Sequence, residues 1–153
     1  PRPGEVDGKD YWFVTKDKFK QLIDEGEFVE YEKVHDNLYG TPKTPIRNWI
    51  KDNKIVLLDV DVYGALNLKK DFPKDSLLIF LRPPNKKELI KRLSGRKTET
   101  EQQINRRLER VELELAEENN FDEIVVNNIL DDTVFTVENL VKDFKIKSLQ
   151  GGK

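Results

Sequence analysis

The segment 54–64, K-I-V-L-L-D-V-D-V-Y-G, constrains the possible folds of this chain more than any other. Ile55 to Leu58 are four consecutive apolar residues that lead directly into two aspartates, as is typical of a strand buried on both faces whose end becomes polar. Side chains two positions apart in a strand point the same way. Asp59 and Asp61 are therefore predicted to project from one face, at the edge where open α/β sheets bind ligands.

The same two aspartates also fit a simpler arrangement. They could be a solvated strand end, with Asp61 capping a helix that begins near Val62. The periodicity of the segment does not decide between a ligand site and a cap.

Composition limits the class of protein. With 153 residues, 37% of them apolar and no long apolar run, the chain fits one domain with a core and no transmembrane span. The 27 basic and 29 acidic residues give a net charge of −2, so no overall field favours nucleic acid or an anionic membrane. Cysteine is absent, which excludes disulfides and thiolate metal sites and fits a cytoplasmic protein.

The first part of the chain is predicted to form short elements of mixed type. Thr15 is a candidate helix N-cap, and Gly26 a candidate helix end. The predicted elements are a loop at 1–10, a strand at 11–14, a helix between Thr15 and Gly26, and paired strands at 27–34 and 38–41. Such small pieces indicate a lobe separate from the main sheet.

From Thr44 onward the pattern alternates between helices and strands. Thr44 and Pro45 are predicted to be the N-cap and first residue of a helix that ends near Asn53. Further helices are predicted at 62–70, 86–93, 100–118 and 131–144, strands at 77–81 and 121–126, and a tail at 145–153. This order predicts a parallel α/β sheet covered on both faces, with a further central strand beyond the three visible here.

Five blocks follow one another along the chain: P-R-P-G-E-V-D-G-K-D-Y-W-F, E-F-V-E-Y with N-L-Y-G-T, V-L-L-D-V-D-V-Y-G-A, R-L-S-G-R-K-T-E-T-E with I-N-R-R-L, and I-V-V-N-N. In this order they resemble the guanylate kinases over nearly all of residues 1–144. The resemblance implies transfer of the terminal phosphoryl group of ATP to GMP with Mg2+. It also implies an α/β, P-loop NTPase-like parallel-sheet core with a small mixed α/β GMP-binding lobe and a helical lid.

The resemblance further implies a division of the chain and a set of partners. The implied regions are a GMP-binding lobe at 1–44, core at 45–93, a lid at 94–117, and core with the last strand, helix and tail at 118–153. The partners would be GMP and ATP, with no nucleic acid and no membrane. The protein would be a monomer or homodimer.

Residues matching the family's GMP site are implied to have defined roles. Arg2 would grip the GMP phosphate in a fork, and the hydroxyls of Tyr11 and Tyr39 would donate to the same group. Glu5 would support and orient the phosphate-binding arginines.

The resemblance implies that hydrogen-bond acceptors of the protein recognise the guanine base. Glu30 and Asp61 would accept from its N1–H and 2-amino donors, which adenine does not present on those atoms, and Thr41 would add a hydroxyl contact.

On the ATP side, the resemblance implies a catalytic role for the lid arginines Arg96 and Arg107, which would neutralise charge on the moving phosphoryl group. Asp59 would also be catalytic, holding hydrated Mg2+ through water. Asn127 and Asn128 fall where the family approaches adenine, although the family often has an aspartate at the second position.

One expected motif is absent from these residues: G-x-x-x-x-G-K followed by Ser or Thr. Its amides and lysine hold the β- and γ-phosphates, so we expect that an N-terminal segment of the kinase is lacking and that this polypeptide alone is inactive. An alternative is a catalytically inactive guanylate-kinase-like scaffold domain that binds phosphopeptides. The presence of Glu30, Asp61, Arg96 and Arg107 favours the enzyme.

Overall fold

The computed structural model describes residues 1–34, 37–94 and 101–150 of the chain. The chain divides into two compact units, Pro1–Asp59 (the N-terminal unit) and Val60–Lys153 (the C-terminal unit). No helix within the described residues is long and apolar enough to cross a lipid bilayer.

The N-terminal unit is built on a hairpin flanked by two helices. Its elements are α1 (Lys16–Asp24), β1 (Phe28–Val34), β2 (Asn37–Pro42) and α2 (Lys43–Lys51). The strands β1 and β2 are antiparallel, which confirms the predicted small mixed α/β region.

Helix α1 begins and ends at the predicted signals. The Thr15 hydroxyl accepts from the Lys18 N–H at 3.2 Å, and Gly26, with φ of +67°, follows the helix end, a conformation that favours glycine. Phe19 of α1 is buried and its ring stacks on that of Phe28 with centroids 4.5 Å apart. This stacking anchors α1 to the hairpin.

The register of the hairpin places its residues in defined pairs. Glu30 lies opposite Thr41, and Glu32 lies opposite Tyr39, after an irregularity between Phe28 and Glu30. Because residues two apart in a strand share a face, Tyr39 and Thr41 lie on one face of β2.

Two predictions for the N-terminal unit are wrong. Residues 11–14 form no strand; Tyr11 makes only an isolated bridge with Asp7. Thr44 is not the N-cap of α2, because the helix begins at Lys43 with Pro42 as its N-cap and the Thr44 hydroxyl donates to the Glu27 carboxylate.

The prediction of a buried strand at Ile55–Leu58 is also wrong. Residues 54–61 belong to neither of the two sheets in the described ranges, and the exposed fractions of Ile55 and Leu57 are 58% and 82%. An apolar run becomes a buried strand only where neighbouring strands bond to its main chain. No described strand does so here.

The C-terminal unit alternates helices with a pair of parallel strands. Its elements are α3 (Val62–Asp71), β3 (Ile79–Arg82), α4 (Lys86–Ser94), α5 (Glu101–Ala116), a 3-10 turn (Glu118–Asn120), β4 (Glu123–Val126) and α6 (Leu130–Gln150). Strands β3 and β4 are parallel, with Ile79 opposite Glu123. The α/β class with a parallel sheet is thus confirmed, but α6 continues through most of the predicted tail at 145–153.

A carboxylate joins the starts of the two parallel strands. Asp122 accepts from the Leu78 N–H at 2.8 Å and from Lys69 Nζ at 2.9 Å. Beside it, Phe80 packs edge-on against Phe121 with ring centroids 5.0 Å apart. These contacts fix β4 beside β3, and so define where the loops after both strands begin.

Candidate functional site

Two tyrosines predicted to bind phosphate lie side by side in the N-terminal unit. The rings of Tyr11 and Tyr39 meet edge to face, with centroids 5.8 Å apart. Tyr11 is about half exposed and Tyr39 half-buried. The two phenols therefore belong to one local group, although 28 positions separate them in the sequence.

Two residues predicted to contact guanine are hydrogen-bonded to each other. The Thr41 hydroxyl donates to Glu30 Oε1 at 2.8 Å, in a half-buried position. Because Tyr39 and Thr41 share a face of β2, the pair lies beside the two tyrosines. Tyr11, Glu30, Tyr39 and Thr41, which we call the hairpin cluster, are thus brought together within one unit.

Arg2 and Glu5 form a separate turn at the start of the chain. The Glu5 N–H donates to the Arg2 carbonyl at 3.0 Å, and Glu5 Oε2 accepts from the Arg2 N–H at 2.6 Å. Pro3 and Gly4, whose φ is +95°, occupy the central positions, as a type II turn requires. Glu5 thus holds the main chain that carries Arg2, whose side chain is exposed.

The loop that carries Tyr11 is stabilised by two aspartates. They were not identified from the sequence. Asp7 Oδ1 accepts from the Phe13 N–H at 2.8 Å, and Asp10 Oδ2 accepts from the Val6 N–H at 2.8 Å. Aspartates commonly bond to nearby main-chain groups in this way. The D-x-x-D spacing of Asp7 and Asp10, near two glycines, could have indicated an ordered loop.

A further carboxylate connects the hairpin to α2. Glu27 accepts from the Thr44 hydroxyl at 2.8 Å and pairs with Arg47 at 3.4 Å. The Thr44 hydrogen bond, and after it the charge and hydrogen bond of Arg47, hold the pKa of Glu27 below its ordinary value against the opposing effect of desolvation.

In the C-terminal unit, Asp61 is the N-cap of α3. Its Oδ1 accepts from the Gly64 N–H at 2.7 Å, which confirms the predicted helix cap at Asp61, although the strand end expected before it is not formed. Its Oδ2 also accepts from Arg110 Nη2 at 3.0 Å, a contact that no sequence pattern indicated. Asp59 lies in the N-terminal unit and is exposed.

Asn127 and Asn128 follow the end of β4. The Asn127 N–H donates to the Arg82 carbonyl at 2.7 Å, and its own carbonyl accepts from Arg92 Nη1 at 3.0 Å. Its side-chain Oδ1 accepts weakly from the Thr133 hydroxyl at 3.4 Å. Asn127 is half-buried and ordered by these contacts, whereas Asn128 is exposed.

The predicted lid arginines are only partly covered by the structure. Arg96 lies outside the described residues, and Arg107 lies within α5 but its side chain is outside the described part. In the described part of the C-terminal unit, a cavity of about 310 Å³ is lined by residues of α4, of α5 and of the segment before α4, and none of the predicted site residues is among them.

The arrangement of the acidic residues bears on how Mg2+ could be held. Within the described ranges, no three or more His, Cys, Asp or Glu side chains form a group that could hold a metal. Mg2+ usually retains several waters and binds through one or two carboxylates and the phosphates of its substrate. A single carboxylate such as Asp59 fits that mode.

Comparisons with known proteins agree with the geometry. The family model for guanylate kinase matches residues 1–144. The guanylate kinase of Prochlorococcus marinus is 44% identical over 142 residues, which cover 93% of this chain and 77% of that relative. That of Nocardia farcinica is 44% identical over 146 residues, covering 94% and 74%.

A solved structure shares the fold. The crystal structure of the guanylate kinase from Anaplasma phagocytophilum matches with a TM-score of 0.70 and 27% identity, over 95% of this chain and 70% of that one. These comparisons give no support to the alternative of a scaffold domain. One assignment follows from the matching motifs, from the hairpin cluster and from relatives that align along almost the whole chain. The chain belongs to the guanylate kinase family of phosphotransferases.

Proposed function

We propose that this chain binds GMP and serves in the transfer of the terminal phosphoryl group of ATP to GMP, giving GDP and ADP. Membership of the guanylate kinase family supports this reaction. The proposed regions are the GMP-binding lobe at 1–44, core at 45–93 and 118–153, and the lid at 94–117.

The observation that carries the proposal is the hairpin cluster. Four residues that the family resemblance assigns to GMP come from two separate segments and meet within the N-terminal unit, through the Tyr11–Tyr39 and Thr41–Glu30 contacts. A group of two phenols, a hydroxyl and a carboxylate offers both donors and an acceptor on one small surface. That combination suits a ligand with an anionic phosphate and a base that donates hydrogen bonds.

The phosphate of GMP is proposed to lie against Arg2 and the two tyrosine hydroxyls. A guanidinium binds phosphate oxygens through parallel N–H bonds, and each phenol can add a further donor. Glu5 would act by holding the turn that presents Arg2, as its hydrogen bond to the Arg2 N–H indicates.

The guanine base is proposed to donate to Glu30 and Asp61. The Thr41 hydroxyl donates to one Glu30 oxygen, which fixes the carboxylate while leaving its remaining lone pairs for the base. Adenine would leave such acceptors unpaired, and a buried acceptor without a donor costs binding free energy.

On the ATP side, Arg96 and Arg107 are proposed to stabilise the charge of the transferring phosphoryl group, and Asn127 with Asn128 to approach adenine. Phosphoryl transfer depends mainly on such positioning and electrostatics. Asp59 would hold hydrated Mg2+ through water, and the ion would supply positive charge against that of the phosphates. We place this activity in purine nucleotide metabolism in the cytoplasm, in a monomer or homodimer.

Calorimetric titration of the chain with GMP, AMP and a phosphoserine peptide tests the proposal. We expect GMP to bind in preference to AMP, and Glu30→Gln to weaken GMP binding about ten-fold or more, because glutamine replaces one acceptor oxygen with an NH2 donor that cannot accept from guanine. Glu25→Gln, in the same unit but outside the hairpin, is the matched control and should bind GMP normally. Binding of the peptide with indifference to GMP would refute the proposal.

A further inference from the structure

Arg110 of α5 connects two carboxylates in the C-terminal unit. Its Nη2 donates to Asp61 Oδ2 at 3.0 Å and its Nε donates to Glu114 Oε1 at 2.8 Å. Asp61 and Arg110 are 49 positions apart in the sequence. The contact therefore joins the start of α3 to the middle of α5.

The Asp61 carboxylate is held at both of its oxygens. Oδ1 accepts from the Gly64 N–H at 2.7 Å and Oδ2 accepts from Arg110. A carboxylate has about four lone-pair positions, two on each oxygen. Within the part of the chain that the structure describes, one position on each oxygen is thus left for further donors, and the Asp61 side chain is 36% exposed and can be reached by a ligand.

Arg110 is itself fixed by Glu114, one turn along α5. The side chain of Glu114 is only 23% exposed, and the i,i+4 spacing brings the two side chains together on the helix surface. Because the guanidinium is planar, a bond at Nε restricts the direction in which Nη2 can donate. Glu114 therefore orients the Arg110 guanidinium, and the guanidinium in turn orients the Asp61 carboxylate.

We propose that Arg110 is a positioning residue for guanine recognition, holding the Asp61 carboxylate so that its free lone pairs accept the N1–H and 2-amino donors. The inference rests on the proposed role of Asp61 in binding GMP. With Arg110 removed, the cap bond from Gly64 to Asp61 is less persistent and the carboxylate must be ordered when the base binds, and that ordering reduces affinity.

The test compares Arg110→Ala and Arg110→Lys with the unmodified chain. Lys142→Ala, which removes an i,i+4 pair with Glu138 on α6, is the matched control. We expect Arg110→Ala to weaken GMP binding about five-fold in calorimetry, a typical effect of one lost ordering contact. Arg110→Lys should restore part of this loss, because it keeps the charge but not the fork. Lys142→Ala should bind GMP as the unmodified chain does.

A second measurement does not depend on nucleotide. If Arg110 orders Asp61, hydrogen exchange of the Gly64 amide, followed by NMR without nucleotide, is faster by a few fold in Arg110→Ala and unchanged in Lys142→Ala. Unchanged Gly64 exchange in Arg110→Ala overturns the positioning role.

The two proposals fail in different ways. If the unmodified chain does not bind GMP, the proposed function fails, and the guanine part of this inference fails with it. If the unmodified chain binds GMP and Arg110→Ala binds it equally well or more tightly, the inference alone is overturned.

Discussion

Tyr11 and Tyr39 pack edge to face, with ring centroids 5.8 Å apart. Tyr11 also lies 5.9 Å from the ring of Phe13, so aromatic contacts fix its ring on two sides. Such pairs contribute about 0.5–1.5 kcal/mol beyond the area they bury. The rings thus stabilise the local structure, while the proposed binding of phosphate would depend on the hydroxyls.

This separation of ring and hydroxyl predicts the effect of Tyr39→Phe. The change keeps the ring packing and removes one donor, so we expect little change in stability and a loss of GMP affinity of about ten-fold, as for a hydrogen bond to a charged group. Guanosine, which lacks the phosphate, should bind the variant as it binds the unmodified chain. Calorimetric titration with both ligands measures the difference.

Tyr31→Phe is the control for this prediction. Tyr31 lies opposite Gly40 in the hairpin and its ring is near that of Phe28, away from the face that carries Tyr39. It should bind GMP normally. A Tyr39→Phe variant that loses guanosine and GMP affinity equally would show that the hydroxyl does not act on the phosphate.

The Thr41–Glu30 hydrogen bond predicts that Thr41→Val weakens GMP binding. Valine has nearly the same shape but no hydroxyl, so Glu30 loses a donor at 2.8 Å and its orientation is no longer fixed. We expect several-fold weaker GMP binding and a fall of about 1 kcal/mol in the free energy of unfolding. Calorimetry and urea unfolding measure the two effects.

Thr44→Val separates the two consequences of that change. The Thr44 hydroxyl also donates to a glutamate at 2.8 Å, Glu27, but outside the hairpin cluster. This variant should lower stability without altering GMP affinity. Equal losses of GMP affinity in both variants would contradict a specific role for Thr41.

The features that sequence reasoning predicted correctly depend on local signals. Thr15 and Gly26 act through bonds and dihedral angles within a few residues of themselves, and the alternating pattern of 27–34 identifies a strand without knowledge of its partner. The family blocks add a second kind of local information. Together these predict the hairpin that carries Glu30, Tyr39 and Thr41, whereas the position of Tyr11 beside Tyr39 was not predicted.

The features that were missed depend on contacts between distant residues. Thr44 is not the cap because α2 already begins at Lys43 and the Thr44 hydroxyl donates to the Glu27 carboxylate, 17 positions earlier. Ile55–Leu58 has the composition of a buried strand, but burial requires neighbouring strands, which the described residues do not provide. No periodic pattern in the sequence predicts the contact of Arg110 with Asp61.

Gly40 permits close packing inside the hairpin, which predicts that Gly40→Ala destabilises the N-terminal unit. A Cβ at this position would lie 2.9 Å from Phe28 Cδ1 and 3.1 Å from the main-chain oxygen of Glu30. The ring is held by its stacking on Phe19 and the oxygen belongs to the strand, so neither moves easily. We expect a loss of about 1–3 kcal/mol in urea unfolding. An unchanged free energy of unfolding would mean that the hairpin adjusts freely there.

The lowered pKa of Glu27 predicts how the stability of the chain depends on pH. Its pKa lies below the ordinary value of 4.5 in the folded chain, chiefly because the Thr44 hydroxyl donates to it and secondarily because Arg47 is near. A carboxylate whose folded-state pKa is depressed contributes stability in full above its unfolded-state pKa and loses that contribution as the pH falls through the folded-state pKa. We therefore expect the unmodified chain to be more stable than Glu27→Gln at pH 7, with the difference shrinking as the pH falls below about 4.5.

Urea unfolding at several pH values measures this pH dependence of stability. Thr44→Val, which lacks the main cause of the pKa shift, should show a smaller pH dependence than the unmodified chain. A difference between the unmodified chain and Glu27→Gln that stays constant from pH 7 to pH 3 would contradict the assignment, because the carboxylate would then contribute nothing through its ionised form.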